Sequence, residues 1–198
     1  MLDTQIDLRM VPVMSAAELA CYRRHLSDAS ALLEYGVGAS TVLAAESGIR
    51  SLYSIDTDRA WLAKTVRQDP VARMIAGGTA KLVHVDLGPV KKWGKPCNYA
   101  YFMRWPDYAR RPWQEGFKPD LVLVDGRFRS SCILQALKNG GPDLKIAVHD
   151  FWKRPFYHGV LKFVSVLERV DTLAILQSNG MNDWRNALLG LRHRYDRR

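Results

Sequence analysis

Glu34-Tyr35-Gly36-Val37-Gly38-Ala39-Ser40-Thr41 is the stretch on which the fold turns. Before it runs Ala31-Leu32-Leu33, too short for a helix and closed by Gly36, as expected of a strand buried on both faces. The two glycines stand where such a strand must turn sharply and let a ligand approach the backbone. After them Ser40 or Thr41 is placed to cap a helix through Val42, Leu43 and Ala44 to Ser47, with Gly48 as its stop. The reading is strand, glycine turn, helix.

Working outward, the same unit repeats. Leu52-Tyr53-Ser54-Ile55 predicts a strand ending at Asp56, and Asp58 a cap for a helix carrying Trp61, Leu62 and Val66. Lys81 to Val85 predicts a third strand ending at Asp86, and Leu121 to Val124 a fourth ending at Asp125-Gly126. Ser130 or Ser131 opens the next helix, closed by Asn139-Gly140-Gly141, and Lys145 to Val148 is a fifth strand ending in His149-Asp150. Pro155 suits the first turn of a helix extending through Val160, Leu161, Val164 and Leu167. Val166 to Val170 and Leu173 to Leu176, separated by Asp171-Thr172, predict a terminal antiparallel hairpin, with a last helix over about Asn182 to His193. Upstream, Ser15-Ala16-Ala17-Glu18 has the form of a capping box, with Leu19, Tyr22 and Leu26 following at helical spacing. Alternating strands and helices predict an α/β domain with a parallel sheet covered on both faces, over residues 1–198 as one unit. Gly36 to Ser40, Asp56, Asp86, Asp125 and Asp150 then gather just past the carboxyl ends of the strands, where open α/β sheets place ligands.

The 198 residues, 47% hydrophobic and 25% charged, are those of an ordinary globular domain. Cys21, Cys97 and Cys132 are odd in number and show no Cys-x-x-Cys or Cys/His ligand spacing, so a reduced, cytoplasmic setting is expected. Acidic Asp3 and Asp7 replace the basic start of a leader, and no segment approaches eighteen apolar residues. Neither secretion nor membrane insertion is expected. The net charge of +9 is uneven: between Pro89 and Pro119 seven Lys or Arg face two acids. Most of the remaining excess lies at the carboxyl end.

The dinucleotide fingerprint wants a third glycine where Thr41 stands, which counts against a nicotinamide cofactor. A carboxylate at Glu34, beside the turn, would repel a pyrophosphate and suit a ligand carrying an ammonium and a sulfonium. Asp56 is placed to accept the hydroxyls of an adenosine ribose, and Asp86 an adenine amino group. Taken singly, helix capping explains Asp56 and loop solvation Asp86 equally well. Together these stretches, with Ser54-Ile55-Asp56-Thr57-Asp58, Val83-His84-Val85-Asp86-Leu87-Gly88 and Asp120-Leu121-Val122-Leu123-Val124-Asp125-Gly126, resemble the class I S-adenosylmethionine-dependent methyltransferases. The resemblance runs from about Ala31 to Leu176. It implies a three-layer Rossmann-like fold with a seven-stranded sheet whose last strand is antiparallel. S-adenosyl-L-methionine would be held with Glu34, Gly36 and Gly38 around the methionine part, Asp56 at the ribose, and Asp86 with Leu87 at the adenine. Tyr35, Ser40, Thr57 and Asp125 complete the candidate cofactor contacts.

On the acceptor side, Asp125, His149 and Asp150 are the candidate catalytic residues, with His149 a base or else a histidine bonded to a loop carbonyl. Some O-methyltransferases of the class hold a divalent cation at these strand ends. His149 breaks their oxygen-ligand pattern, and no metal set is assigned. The interval from Pro89 to Pro119, with eight aromatics and five prolines, is either a cover over the acceptor or an extra packed layer. As a cover it offers Arg104, Arg110 and Arg111 to an anionic group, hence the expectation of O-methylation of a small-molecule or glycan acceptor. The rivals are an RNA or DNA methyltransferase and a non-catalytic binding module.

Overall fold

The computed structural model describes residues 10–181, and the helix expected over Asn182 to His193 lies outside them. Helix α1 (Ala16–Asp28) is capped by Ser15, whose side chain accepts from the Glu18 amide while Glu18 accepts from the Ser15 amide. Next come β1 (Ala31–Tyr35), α2 (Ala39–Glu46), β2 (Ser51–Asp56), α3 (Arg59–Val66, capped by Asp58), α4 (Asp69–Ala76) and β3 (Ala80–His84). The stretch after β3 holds a two-residue hairpin, β4 (Val90–Lys91) with β5 (Lys95–Pro96), then α5 (Trp105–Gln114). The described residues end with β6 (Leu121–Val124), α6 (Arg129–Asn139), β7 (Lys145–Val148), a 3₁₀ segment (Pro155–Phe163), β8 (Val164–Val170) and β9 (Leu173–Ser178).

Seven strands form one sheet in the order β3-β2-β1-β6-β7-β9-β8. The first five run parallel, and β9 pairs antiparallel with both β7 and β8. Side chains alternate across the sheet, so neighbouring residues serve different layers. Leu33, Tyr35, Val122, Val124, Ile146 and Val148 pack on α5, α6 and the 3₁₀ segment; Leu32, Leu121, Leu123, Ala147 and Ile175 pack on α1 and α2. Each fully buried Leu, Ile or Val contributes about 1.5–3 kcal/mol. This is the Rossmann-like methyltransferase fold, with the terminal hairpin where it was expected.

The departures have physical causes. Val164 and Leu167 belong to β8 and not to a helix, because Val164, Val166, Glu168 and Val170 pair with β9 in the sheet. The region after Asp58 forms two helices because Pro70 sits in the first turn of α4 and starts it afresh. Helix α5 hid behind its two prolines: Pro106 occupies its first turn, and Pro112 sits on its buried face. Neither Ser40 nor Thr41 caps α2. Gly38 holds the N-cap place with no side chain, its amide donating to Thr41 Oγ1 at 2.9 Å, and both hydroxyls donate back to Glu34 of β1.

Candidate functional site

The carboxyl ends of the parallel strands meet at the glycine turn. Gly36 has φ +102°, and a Cβ there would stand 2.8 Å from the Gly126 amide nitrogen, so only glycine lets the turns after β1 and β6 touch. At Gly38 a Cβ would meet the Trp61 indole nitrogen at 3.0 Å. The indole therefore stands over the start of α2.

Glu34 departs from the expectation for it. It lies within β1 and its side chain is fully buried, accepting from Ser40 Oγ at 2.5 Å, Thr41 Oγ1 at 2.6 Å and Ser54 Oγ at 2.6 Å. Burial pushes its carboxyl up to about 7, against the pull of those three hydroxyls. Its charge faces the chain's own hydroxyls and no crevice. Tyr35 points to the other face, where its hydroxyl donates to the Ala109 carbonyl and accepts from the Trp113 indole.

Asp56 is likewise taken up internally. One oxygen accepts from the Val37 amide at 2.8 Å, the other from the Thr57 and Asp58 amides at 2.6 and 2.9 Å. Burial raises its pKa while those amides lower it. Thr57 donates to the Gly94 carbonyl at 2.8 Å, which lays the β4–β5 hairpin over the end of β2. Leu87 is 1% exposed among side chains that include Trp105 and Tyr108. The Tyr108 hydroxyl would stand 2.1 Å from a Cβ on Gly126. Asp86 is exposed. It accepts from the Gly88 amide and pairs with Arg104 at 2.7 Å, and that amide and Arg104 together hold its pKa below the usual carboxylate range.

At the ends of β6 and β7 cations do the work. Asp125 accepts from Arg129 at 2.9 Å and meets His149 Nδ1 at 3.1 Å; Glu18 of α1 lies 3.7 Å from the other ring nitrogen. Burial opposes the charge on His149, but the bond to Asp125 and the charges of Asp125, Asp150 and Glu18 outweigh it and raise the pKa. For Asp125 burial is again the largest effect, and His149 and Arg129 overcome it to lower the pKa. This arrangement favours the imidazolium, so His149 is set up to hold a proton more than to take one. Asp150, in the left-handed region at φ 56°, pairs with Arg154 at 2.8 Å.

The sequence reading missed Arg129 and Glu18. Buried Arg129 also donates to the carbonyls of His149, Asp125 and Gly126, tying the turns after β6 and β7 together. Its place four residues after Asp125 was the available signal. Glu18 was read only as a helix cap. The three arginines assigned to an anionic acceptor are not brought together: Arg104 pairs with Asp86 at the strand ends, exposed Arg110 points to solvent, and Arg111 bonds Glu115 at 2.9 Å. Glu115 also accepts from Lys81 and Tyr53, beside the opposite ends of β2 and β3, and Lys81 foremost pulls it down to about 2.

In the conformation described, the chain itself covers part of this crevice. Thr57, Val85 and Leu87 are each under 5% exposed, with Gly94 against Thr57 and with Trp105 and Tyr108 in the same core as Val85 and Leu87.

No family model and no curated protein matches the chain. Among solved structures, a methyltransferase-like protein from Silicibacter pomeroyi is 30% identical, with a TM-score of 0.82, over 96% of this chain and 100% of that one. An O-methyltransferase from Bacillus cereus, solved in complex with SAH, is 12% identical with a TM-score of 0.56 over 86% of this chain and 83% of its own. TrmN from Thermus thermophilus is 14% identical with a TM-score of 0.52, matched over 81% of this chain and 48% of that one. Those two share the fold. The end-to-end likeness to the first, on a sheet of this order with its glycine turn after β1, shows that the chain belongs to the class I S-adenosylmethionine-dependent methyltransferase family.

Proposed function

We propose that the protein is an S-adenosylmethionine-dependent methyltransferase whose cofactor crevice opens when the segment from Gly94 to Arg104 is displaced. The observation that carries this reading is the match over 96% of the chain to a methyltransferase-like relative, beside the acids Asp56, Asp86 and Asp125 at or just past the ends of β2, β3 and β6. The segment is held by contacts that can be broken singly: the Thr57 bond to Gly94 and the half-exposed Arg104–Asp86 pair. Long connections on rigid scaffolds commonly move in this way. The acceptor best supported is a small hydroxyl-bearing molecule, since several neighbours of this fold are named O-methyltransferases.

Calorimetry with S-adenosylhomocysteine is the test. Binding in the micromolar range, lost in Asp56→Ala, supports the reading; absence of heat at millimolar ligand removes it. A second reading, a scaffold without chemistry, is favoured by one observation: Glu34, Asp56 and Asp125 are each already bonded by the protein itself. It predicts no binding and a full set of folded-state contacts. A nucleic-acid acceptor predicts tight RNA binding that falls steeply with salt.

A further inference from the structure

Apart from the strand ends, three side chains of metal-ligating chemistry converge at the junction of α1 with the edge strand β8. Cys21 and His25 lie one turn apart on the buried face of α1, at 2% and 6% exposure, a spacing that sets two side chains side by side. The third is Glu168. Its place depends on an irregularity in β8: Val166 pairs with Leu176, but Glu168 pairs with Ile175, so Leu167 is bulged out. Strand residues alternate faces, and without the bulge Glu168 would share the face of Val166, away from α1. With it, Glu168 shares the face of Ile175, which packs with Cys21 and Tyr22. One oxygen then meets His25 Nε2 at 2.8 Å and the other Cys21 Sγ at 3.7 Å, and one ligand atom from each residue lies within 4.8 Å of the others.

We propose that Cys21, His25 and Glu168 form a site for a thiophilic divalent transition metal of the zinc type. A thiolate, an imidazole and a carboxylate are the ligand types zinc takes, and separations near 3 to 4 Å are those of ligands sharing one tetrahedral ion. The same place already attracts positive charge. The Arg24 guanidinium bonds Glu168 and lies 3.8 Å from Cys21 Sγ. Arg24 is 56% exposed and so can withdraw into water as the ion enters. The exchange balances: the Cys21 thiol loses its proton to solvent, the Nε2 proton that His25 shares with Glu168 is given up in favour of the Nδ1–H tautomer, sulfur–metal and nitrogen–metal bonds form, and the thiolate with the carboxylate neutralises the two charges of the ion. Three protein ligands leave a fourth position for water. Bound there, the ion fastens α1 to the outermost strand, independent of any activity at the glycine turn.

Cobalt(II) tests this in tag-free protein carrying Cys97→Ser, which removes the exposed thiol. The expected result is a thiolate-to-cobalt charge-transfer band saturating at one equivalent, displaced by zinc, and abolished by Cys21→Ser. Glu168→Gln keeps both helical ligands and should weaken zinc at least tenfold. Arg24→Ala leaves the ligands intact and should tighten it several-fold. A protein that shows no such band overturns the proposal, as does a band that survives Cys21→Ser or zinc affinity unmoved by Glu168→Gln.

Discussion

Two corners of one sheet edge solve the same problem in different ways. At the ends of β1 and β2, Glu34 and Asp56 are buried against neutral donors, three hydroxyls for one and three backbone amides for the other. At the ends of β6 and β7, Asp125 and Asp150 are met by Arg129, His149 and Arg154. Neutral donors leave the balance between charged and uncharged carboxyl close, so burial wins and Glu34 titrates near 7. Cations tip it the other way and hold Asp125 ionised. Glu34 and Asp125 should therefore answer acid with opposite signs.

The largest expected effect breaks the cationic corner. Arg129→Met strips Asp125 of its buried partner and orphans three carbonyls, and should cost roughly 3–5 kcal/mol in urea unfolding. A loss below 1 kcal/mol would show that the two turns are not held by it. Next comes Glu34→Gln. A carboxyl raised in the fold stabilises below its unfolded value and loses that contribution as pH rises through the folded one, so wild type should weaken between about 4.5 and 7. The Gln variant should gain on wild type through that window, by roughly 3 kcal/mol at most, and hold a constant lead above it. A difference that does not vary with pH would erase the contrast between the corners.

Smaller still is Asp125→Asn, which should lower the His149 pKa in an NMR titration, since the Asp125 bond is the strongest influence raising it. Because that pKa is raised, the stability it contributes is present below about 6.5 and fades as pH climbs past the folded value. Glu18→Gln should lower the same pKa less, its carboxylate being 3.7 Å away. Least of all, Arg104→Ala should leave the unfolding midpoint near wild type, because its pair with Asp86 is half in water. Under the proposed opening of the crevice the same variant should bind S-adenosylhomocysteine more tightly.

Much of the fold was legible because buried parallel strands are short apolar runs with polar stops, as in Ala31 to Leu33, Leu121 to Val124 and Lys145 to Val148. Ser15 and Asp58 were readable as caps because capping is local. Prolines concealed α5, and β8 was half hidden because an edge strand with a bulge loses its alternation. At the site, residue types and order were legible but orientation was not. Glu34 counts as part of the turn in the sequence, whereas in β1 its parity sends it to the α1 and α2 face with Leu32. The Cys21 and His25 spacing passed unnoticed because it becomes a pair only on a helix, and its third member is 143 residues away.

Glu18 closes the capping box of α1 and also accepts from the amide and hydroxyl of Thr172, while Ser15 donates to Asp171. The opening turn of the first helix is thus completed by the bend between the last two strands, 154 residues later. During synthesis the local capping box can close as soon as α1 is made, but its docking onto this bend has to wait until Thr172 has followed.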